Sequence, residues 1–278
     1  MFRILRFKEV CVRLVKANDN VFDNLMTEEK SKIVFNLLFQ IKNDPSAFIV
    51  TNDTSYIFTQ DSKRTPNWLF INQELDDSTK EEIIAILSGM VKINPLLRVN
   101  GQEQYILPIL EELSARLGIS FKKEISMSVY FCKEVNKIAA KGQMIAPKEA
   151  HRERLKELIS SMSKDTDGLL LGADDSEKYI SSLIHSHSFF LWENEKVVSM
   201  AKIANKSESY ARINTIFTDL EERGNGYTTM LVGEISEQLL AEGLTPVIYA
   251  DSSVETKIEA YKTIGFEKAG DLTQFAFN

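Results

Sequence analysis

Gly224 and Gly226, separated only by Asn225 and preceded by Arg223, are the residues in this chain whose type and spacing most clearly imply chemistry. Ile216, Phe217 and Thr218 before them read as the end of a strand. After them Tyr227, Met230, Leu231, Ile235 and Leu239 fall on one helical face, with Gly243 placed as a stop. Glycines at a strand-to-helix turn reach backbone angles closed to other residues, and the first helical turn leaves N–H groups unpaired. Such a turn can bind an anionic phosphate, although a Gly-x-Gly pair alone is equally a tight turn with no ligand.

Other chemistries find little support. His185 and His187 are two apart, with no cysteine or carboxylate joining them at ligand spacing, so no metal site is expected. There is no Gly-x-Ser-x-Gly elbow, no Gly-x4-Gly-Lys loop, and too few glycines after Thr218 for a dinucleotide fingerprint. Trp68, Trp192 and the 16 phenylalanines read as core.

The run Arg223-Gly-Asn-Gly-Tyr-Thr228 resembles the signature of the GNAT superfamily, the acetyl-CoA-dependent N-acyltransferases. A second segment supports the resemblance. Val247 to Ala250 reads as a strand, Val254, Ile258 and Tyr261 share a helical face, and Tyr261-Lys-Thr-Ile-Gly-Phe266 is similar to the superfamily's closing helix and Gly-Phe, which leads into a final strand pair. The likeness spans roughly residues 141 to 278. Three features depart from the pattern: Asp219, Glu221 and Glu222 add carboxylates, Thr228 replaces a small residue, and Val254 and Ile258 stand where asparagines are common.

The resemblance implies an α+β fold with a mixed sheet and acetyl-CoA as co-substrate, without a metal. It implies that Ile216, Phe217 and Thr218 flank the pantetheine arm, and that Arg223, Gly224, Asn225, Gly226, Tyr227, Thr228 and Thr229 hold the pyrophosphate. It also implies that Tyr261 protonates the departing thiolate after direct attack by an amine. A phenol of ordinary pKa about 10 carries the needed proton at neutral pH. No residue is selected as general base from Glu193, Glu208 and Asp219. The acceptor is expected to be a small amine. The alternatives are a non-catalytic acetyl-CoA sensor or scaffold, and a protein acetyltransferase that recruits its partner through the N-terminal half.

The elements that must position these residues occupy an ordinary soluble composition, 44% hydrophobic and 26% charged over 278 residues, enough for two domains. A net charge of −7 argues against nucleic-acid or anionic-membrane partners. Arg152, Arg154 and Lys156 interleave with Glu149, Glu153 and Glu157 as a solvated helix face. Cys11 and Cys132 read as free thiols, and the absence of a signal or spanning segment makes a cytoplasmic protein the simplest expectation.

In the first half, one helix is expected over Asp23 to Lys42, and strands over 47–50, 56–59 and 68–71. A helix capped by Ser78 with Glu81 should follow, then a strand at 96–99, a helix over 103–117, and strands at 119–122 and 127–131. This order repeats that of the second half, with Ser114 to Ile119 mirroring Tyr261 to Phe266. Asn72 to Asp77, in the place of the glycine loop, has no glycine and three carboxylates. The expected organisation is two tandem GNAT-like domains: 1–136 without a coenzyme site and 137–278 with one. An unrelated α+β domain is the alternative for 1–136. In the second half, helices from Pro147 to about Met162 and after Asp174, a hairpin across Glu193 to Glu195, and a strand over 210–218 lead into the loop.

Overall fold

A computed structural model describes residues 12–16, 19–60, 66–136, 139, 141–165 and 173–278, with side chains at 173–176 and 257 excepted. Cys11 and the side chain of Asp174 therefore lie outside the described residues. The chain divides into two compact units, 1–129 with 269–278, and 130–268. The expected boundary lay at 136/137. The structure instead places the last ten residues in the first unit, because the final strand pairs there.

The described part of the first unit begins with β1 (Arg13–Leu14), α1 (Val21–Leu25), α2 (Glu29–Val34) and α3 (Leu38–Ile41). The single helix expected over 23–42 is thus broken. Ile33, Val34, Phe35 and Asn36 are all buried, and four consecutive buried positions would need a helix enclosed on every side. Breaking the chain at Met26 and Phe35 lets each short piece turn its own face inward, and Phe35 meets Trp68 and Phe70 edge-on at 6.4 and 5.1 Å.

The strands β2 (Phe48–Thr51), β3 (Tyr56–Gln60) and β4 (Asn67–Ile71) form an antiparallel meander. Helix α4 (Asp77–Ile93) then crosses to β5 (Arg98–Gly101), parallel to β4, and α5 (Glu103–Leu117) leads into β6 (Phe121–Cys132). One face of this sheet packs Tyr56, Phe58, Leu69 and Val99 against Ile83, Leu87, Ile106 and Leu110 of α4 and α5.

The second unit repeats this order. It takes residues 130–132 of β6, then β7 (Gln143–Ile145), α6 (Arg152–Asp165), α7 (Ala173–Ile184), β8 (Phe189–Asn194), β9 (Lys196–Lys206) and β10 (Tyr210–Thr218). After these come α8 (Tyr227–Ala241), β11 (Thr245–Asp251), α9 (Glu255–Ile264) and the start of β12 (Phe266–Phe277). Strands β7 to β10 are antiparallel neighbours, and β10 runs parallel to β11. Helices α8 and α9 cover one face through Met230, Leu231, Ile235, Tyr261 and Ile264, while α6 and α7 cover part of the other through Leu155, Leu158, Ile180 and Leu183.

The strand pairs expected at 119–131 and after Phe266 are instead single strands of 12 residues, β6 and β12. Lys123 to Ser126 offers no glycine, proline, asparagine or aspartate to turn the chain. Gly270, near the middle of β12, serves close packing instead: a Cβ there would lie 3.0 Å from Val34 Cγ2. Residues 273–276 of β12 pair antiparallel with 98–101 of β5, which is what assigns the C-terminus to the first unit.

The cap of α4 also differs from expectation. The side chain of Asp76, not Ser78, accepts from Thr79 N–H at 2.7 Å. Asp76→Ala is expected to cost about 1 kcal/mol, the usual scale for an N-cap, and Ser78→Ala a few tenths at most, as read by urea unfolding.

Candidate functional site

The site residues are held by a strand that breaks its pairing with both neighbours. From Asn214 to Phe217, β10 advances three residues while β9 retreats two, Lys202 to Met200, so one residue is extra. That bulge is centred on Thr215, whose φ of 52° is left-handed and rare for a β-branched residue. On its other edge β10 pairs with β11 only as far as Ile213 with Ile248, although β10 continues to Thr218 and β11 to Asp251. The last residues of β10, Ile216, Phe217 and Thr218, therefore have no ladder partner on the β11 side. Their backbone groups on that edge can receive an extended ligand as an added strand would.

Beyond Thr218 the chain turns at Asp219 through a short 3₁₀ segment, Leu220–Glu222, to Arg223. Gly224 and Gly226 adopt φ of 85° and 80°, and Gly226 is the N-cap of α8, with no side chain bonded to the helix end. An added Cβ at Gly224 would meet nothing within 4 Å, so backbone angle rather than space demands glycine there. A first helical turn without a side-chain cap, preceded by two left-handed glycines, concentrates N–H donors and positive dipole at one point. That is an anion-binding geometry.

The side chains around the turn are tied down. Ser199 Oγ donates to Phe217 O at 3.0 Å, Thr218 Oγ1 donates to Ser199 Oγ at 2.8 Å, and Thr228 Oγ1 lies 2.7 Å from Thr218 Oγ1. Each hydroxyl carries one proton, so Thr228 is the donor to Thr218. The threonine in place of a small residue thus bolts the helix start to the strand end. Asn194 Nδ2 donates to the Tyr227 hydroxyl at 2.7 Å, and Asn225 Nδ2 to Glu222 O at 3.1 Å. Arg223 is held by Asp165 at 2.7 Å, with its guanidinium 5.5 Å from the centre of the Phe217 ring.

Two of the three extra carboxylates are neutralised in place. Asp219 pairs with Arg154, and Glu222 with Lys196 at 2.9 Å, while Glu221 is exposed. The Arg154 bond holds the Asp219 carboxyl below its usual range, against an opposing effect of burial. For Arg154 burial acts downward, and the bonds to Asp219 and Glu157 outweigh it. Arg154 also donates through Nε to Val197 O at 2.9 Å. The expected i,i+3 ion pairs of this helix are present, Arg154 with Glu157 at 2.8 Å and Lys156 with Glu153 at 2.9 Å. Yet the expected solvated face is incomplete, because α6 turns Arg154 toward the sheet, where it clamps the loop.

Tyr261 lies on α9, 4% exposed, in the apolar cluster that also holds Tyr227 and Met230 and against which Ile216 packs. Its ring centre is 6.5 Å from that of Tyr130 and 6.1 Å from that of Phe266. Burial pushes the phenol up to about 12, so it stays protonated at neutral pH. Gly265 closes α9 with φ of 113°, and a Cβ there would lie 2.4 Å from Glu134 O. Of the base candidates, Asp219 is engaged by Arg154, Glu208 is exposed in the β9–β10 turn, and Glu193 accepts from Gln143 at 3.3 Å. His185 Nδ1 lies 2.7 Å from Ser181 O. Among the described residues there is no group of three or more His, Cys, Asp or Glu positioned for a metal, and no helix is long and apolar enough to cross a membrane.

A bulged strand, a glycine turn and an open helix start thus lie together at the end of β10. Residues 170–277 match the family model described as the acetyltransferase (GNAT) domain. Over nearly its whole length the chain is similar in structure to an acetyltransferase of the GNAT family from Colwellia psychrerythraea: 13% identity, 96% of this chain and 99% of that one, TM-score 0.56. A Drosophila protein aligns at 9% identity over 96% and 98%, with TM-score 0.63. A tandem GNAT protein from the clavulanic acid biosynthesis pathway aligns at 10% over 96% and 97%, with TM-score 0.52. No curated protein matches in sequence. Residues 170–277 thus carry the acetyltransferase (GNAT) domain, and the chain has the mixed α+β fold of a tandem GNAT protein.

The Arg154–Asp219 pair gives a test of the clamp. Arg154→Leu leaves a part-buried carboxylate alone and is expected to destabilise by roughly 3 kcal/mol, most of it restored when Asp219→Asn is added. Because the folded-state pKa of Asp219 is depressed, its contribution is complete above the unfolded value of about 3.9 and is lost as pH falls through the folded value. The melting temperatures of wild type and Asp219→Asn should converge in acid.

Proposed function

We propose that this protein is an acetyl-CoA-dependent N-acetyltransferase, with the active site in the second unit. The observation that carries this reading is the uncapped start of α8 behind Gly224 and Gly226, at the end of a strand that has left β11. These residues fit a coenzyme with a pyrophosphate and an amide-rich arm. The N–H groups from Arg223 to Thr229 face no competing cap, and the edge of Ile216 to Thr218 is open. When bound, the coenzyme supplies an acetyl group activated as a thioester. Asp219 and Glu222 do not oppose a polyanion, since Arg154 and Lys196 neutralise them. The Arg223 side chain, held by Asp165 and Phe217, braces the turn, so the backbone supplies the anion contacts.

In the proposed reaction a neutral amine attacks the acetyl carbon directly, the carbon–sulfur bond breaks with its electrons on sulfur, and the proton shed by the nitrogen passes to solvent. Tyr261 donates the proton that the departing sulfur takes up. Burial keeps the Tyr261 phenol protonated across the working range, as a general acid requires. Orienting the amine against the thioester supplies much of the rate.

The first unit has the same parallel strand–helix–strand step but, on this reading, no coenzyme site. Asp76 fills the start of α4 with its own carboxylate, and no described residue from 72 to 77 has left-handed backbone.

Coenzyme A or acetyl-CoA at a hundredfold excess over its dissociation constant should stabilise the chain by about 2.7 kcal/mol, and Gly224→Asp with Gly226→Asp should abolish that thermal shift. Wild type showing no shift with millimolar coenzyme would sink the reading. Tyr261→Phe should leave coenzyme affinity unchanged while turnover drops by on the order of 100-fold, the scale of a lost general acid. Equal turnover by thiol release would return Tyr261 to a packing role.

A further inference from the structure

The face of the second unit's sheet away from α8 and α9 carries a cation with no counter-ion among the described residues. Ala211 and Ile213 of β10, Ala201 and Ile203 of β9, and Ile248 and Ala250 of β11 all turn into the α8–α9 core. Strand alternation therefore puts Arg212, Asn214, Lys202 and Tyr249 on the opposite face. Arg212 lies level with Val247 one step before the ladder ends, Tyr249 lies one step beyond its last pair, and Asn214 is level with Lys202. These four residues stand where β10 and β11 begin to separate. The apolar cluster under α6 and α7 takes Val197, Met200 and Phe217 but no residue of β11, and on this face buried Val247 lies beside Arg212.

The Arg212 side chain is half-buried, its guanidinium 4.5 Å from the centre of the Tyr249 ring, and its Nε atom is buried with no hydrogen-bond partner among the described residues. Among the described residues no carboxylate pairs with Arg212 or with Lys202. The desolvation that pulls the Arg212 pKa down is met only by Tyr249. A charge partly withdrawn from water in this way is normally paired, because desolvation left uncompensated is unfavourable. Stacking on Tyr249 fixes the plane of a guanidinium whose fork suits an oxyanion. Asn214 accepts from Thr215 Oγ1 at 3.1 Å, which keeps its amide hydrogens as donors.

The geometry points to Arg212, with Lys202 and Asn214, as the subsite for an oxyanion on the acceptor: the acceptor is an amine that also carries an acidic group, with a carboxylate or phosphate as the shared chemistry. This rests on the transferase reading above and names its substrate class. An amine must approach a thioester lying in the β10–β11 split from one face of the sheet. The α8–α9 face is closed by apolar packing, whereas the other offers an unsatisfied cation beside the opening.

The test uses the full chain. Amino acids are compared with their methyl esters, and glucosamine 6-phosphate with glucosamine, as acceptors. Binding of the N-acetylated amino acids and their esters is followed separately by thermal shift, which needs no turnover. Wild type should prefer the acidic member of at least one pair. Arg212→Gln should raise its KM by about tenfold or more, the scale of a lost charge-assisted bond, with the KM for acetyl-CoA unchanged. Arg212→Lys should keep part of the preference. Arg212→Gln should hold or raise the melting temperature of the ligand-free chain, since an unpaired, half-buried charge is removed. If that variant does not fold, Lys202→Gln should show a smaller loss of the same preference. Whichever pair depends on Arg212 identifies the oxyanion. Equal use of acid and ester, and of sugar and sugar phosphate, by wild type overturns the subsite while leaving transfer intact. Arg212-dependent binding of N-acetylated amino acids without turnover of any amine would support the subsite and refute transfer instead.

Discussion

A strand in the middle of a sheet satisfies its backbone through both neighbours, and β10 gives up that arrangement twice within five residues. It inserts an extra residue against β9 at Thr215 and stops pairing with β11 after Ile213. Both departures leave polar backbone groups that folding would otherwise pair. They persist because the surroundings over-determine the conformation. Ser199, Thr218 and Thr228 tie the strand end to the helix start, Arg154 holds Asp219, and Asp165 holds Arg223. Backbone strain of this kind is concentrated where a ligand is to be received.

The two units show how little separates an open helix start from a closed one. Each has an antiparallel meander, then a helix crossing to a parallel strand, β4–α4–β5 and β10–α8–β11. In the first unit the residue before the helix is Asp76, whose carboxylate accepts from Thr79 and brings a negative charge to the positive end of the dipole. In the second it is Gly226, which brings neither. A cap stabilises the helix and removes the anion site in one substitution, so stability and ligand binding compete for the same amide hydrogens.

Glycines and an aromatic at fixed spacing were legible in the sequence because their requirement is local. Gly224, Gly226 and Gly265 all take left-handed angles, and Tyr261 is buried where its helical face put it. The element order of both halves was legible for the same reason. The bulge at Thr215 was not, since no glycine marks it and the bonds that brace this end of β10, at Phe217 and Thr218, come from Ser199, distant in sequence. Arg154 was hidden among alternating charges that do form ion pairs on the surface; only the packing of α6 shows that one of them turns toward Asp219. The long strands β6 and β12 escaped for a related reason. The charges from Lys122 to Glu124 and at Glu267 and Lys268 do not interrupt them, because a half-exposed strand tolerates charge on its solvent face. Arg212 offered no signal either, because one arginine inside an apolar strand becomes informative only once its missing partner is seen.

A chain of net charge −7 is an unpromising receptor for anions if charge is counted over the whole molecule. The relevant range is shorter. At physiological ionic strength exposed charges are screened beyond about 8 Å, so the field at one turn is set by that turn. At the start of α8 two of the three nearby acids are matched by Arg154 and Lys196 and the third, Glu221, is exposed to solvent screening, so the helix dipole and the glycine amides dominate the field. Around Arg212 the same local accounting leaves a positive excess, with no acid among the described residues to cancel it. Much of the negative total is carried by surface acids elsewhere, such as Glu111 and Glu208, where it favours solubility without reaching either corner. Net charge therefore excludes a broad basic surface for nucleic acid, but it sets no limit on binding an anion at a small site with its own arrangement of donors.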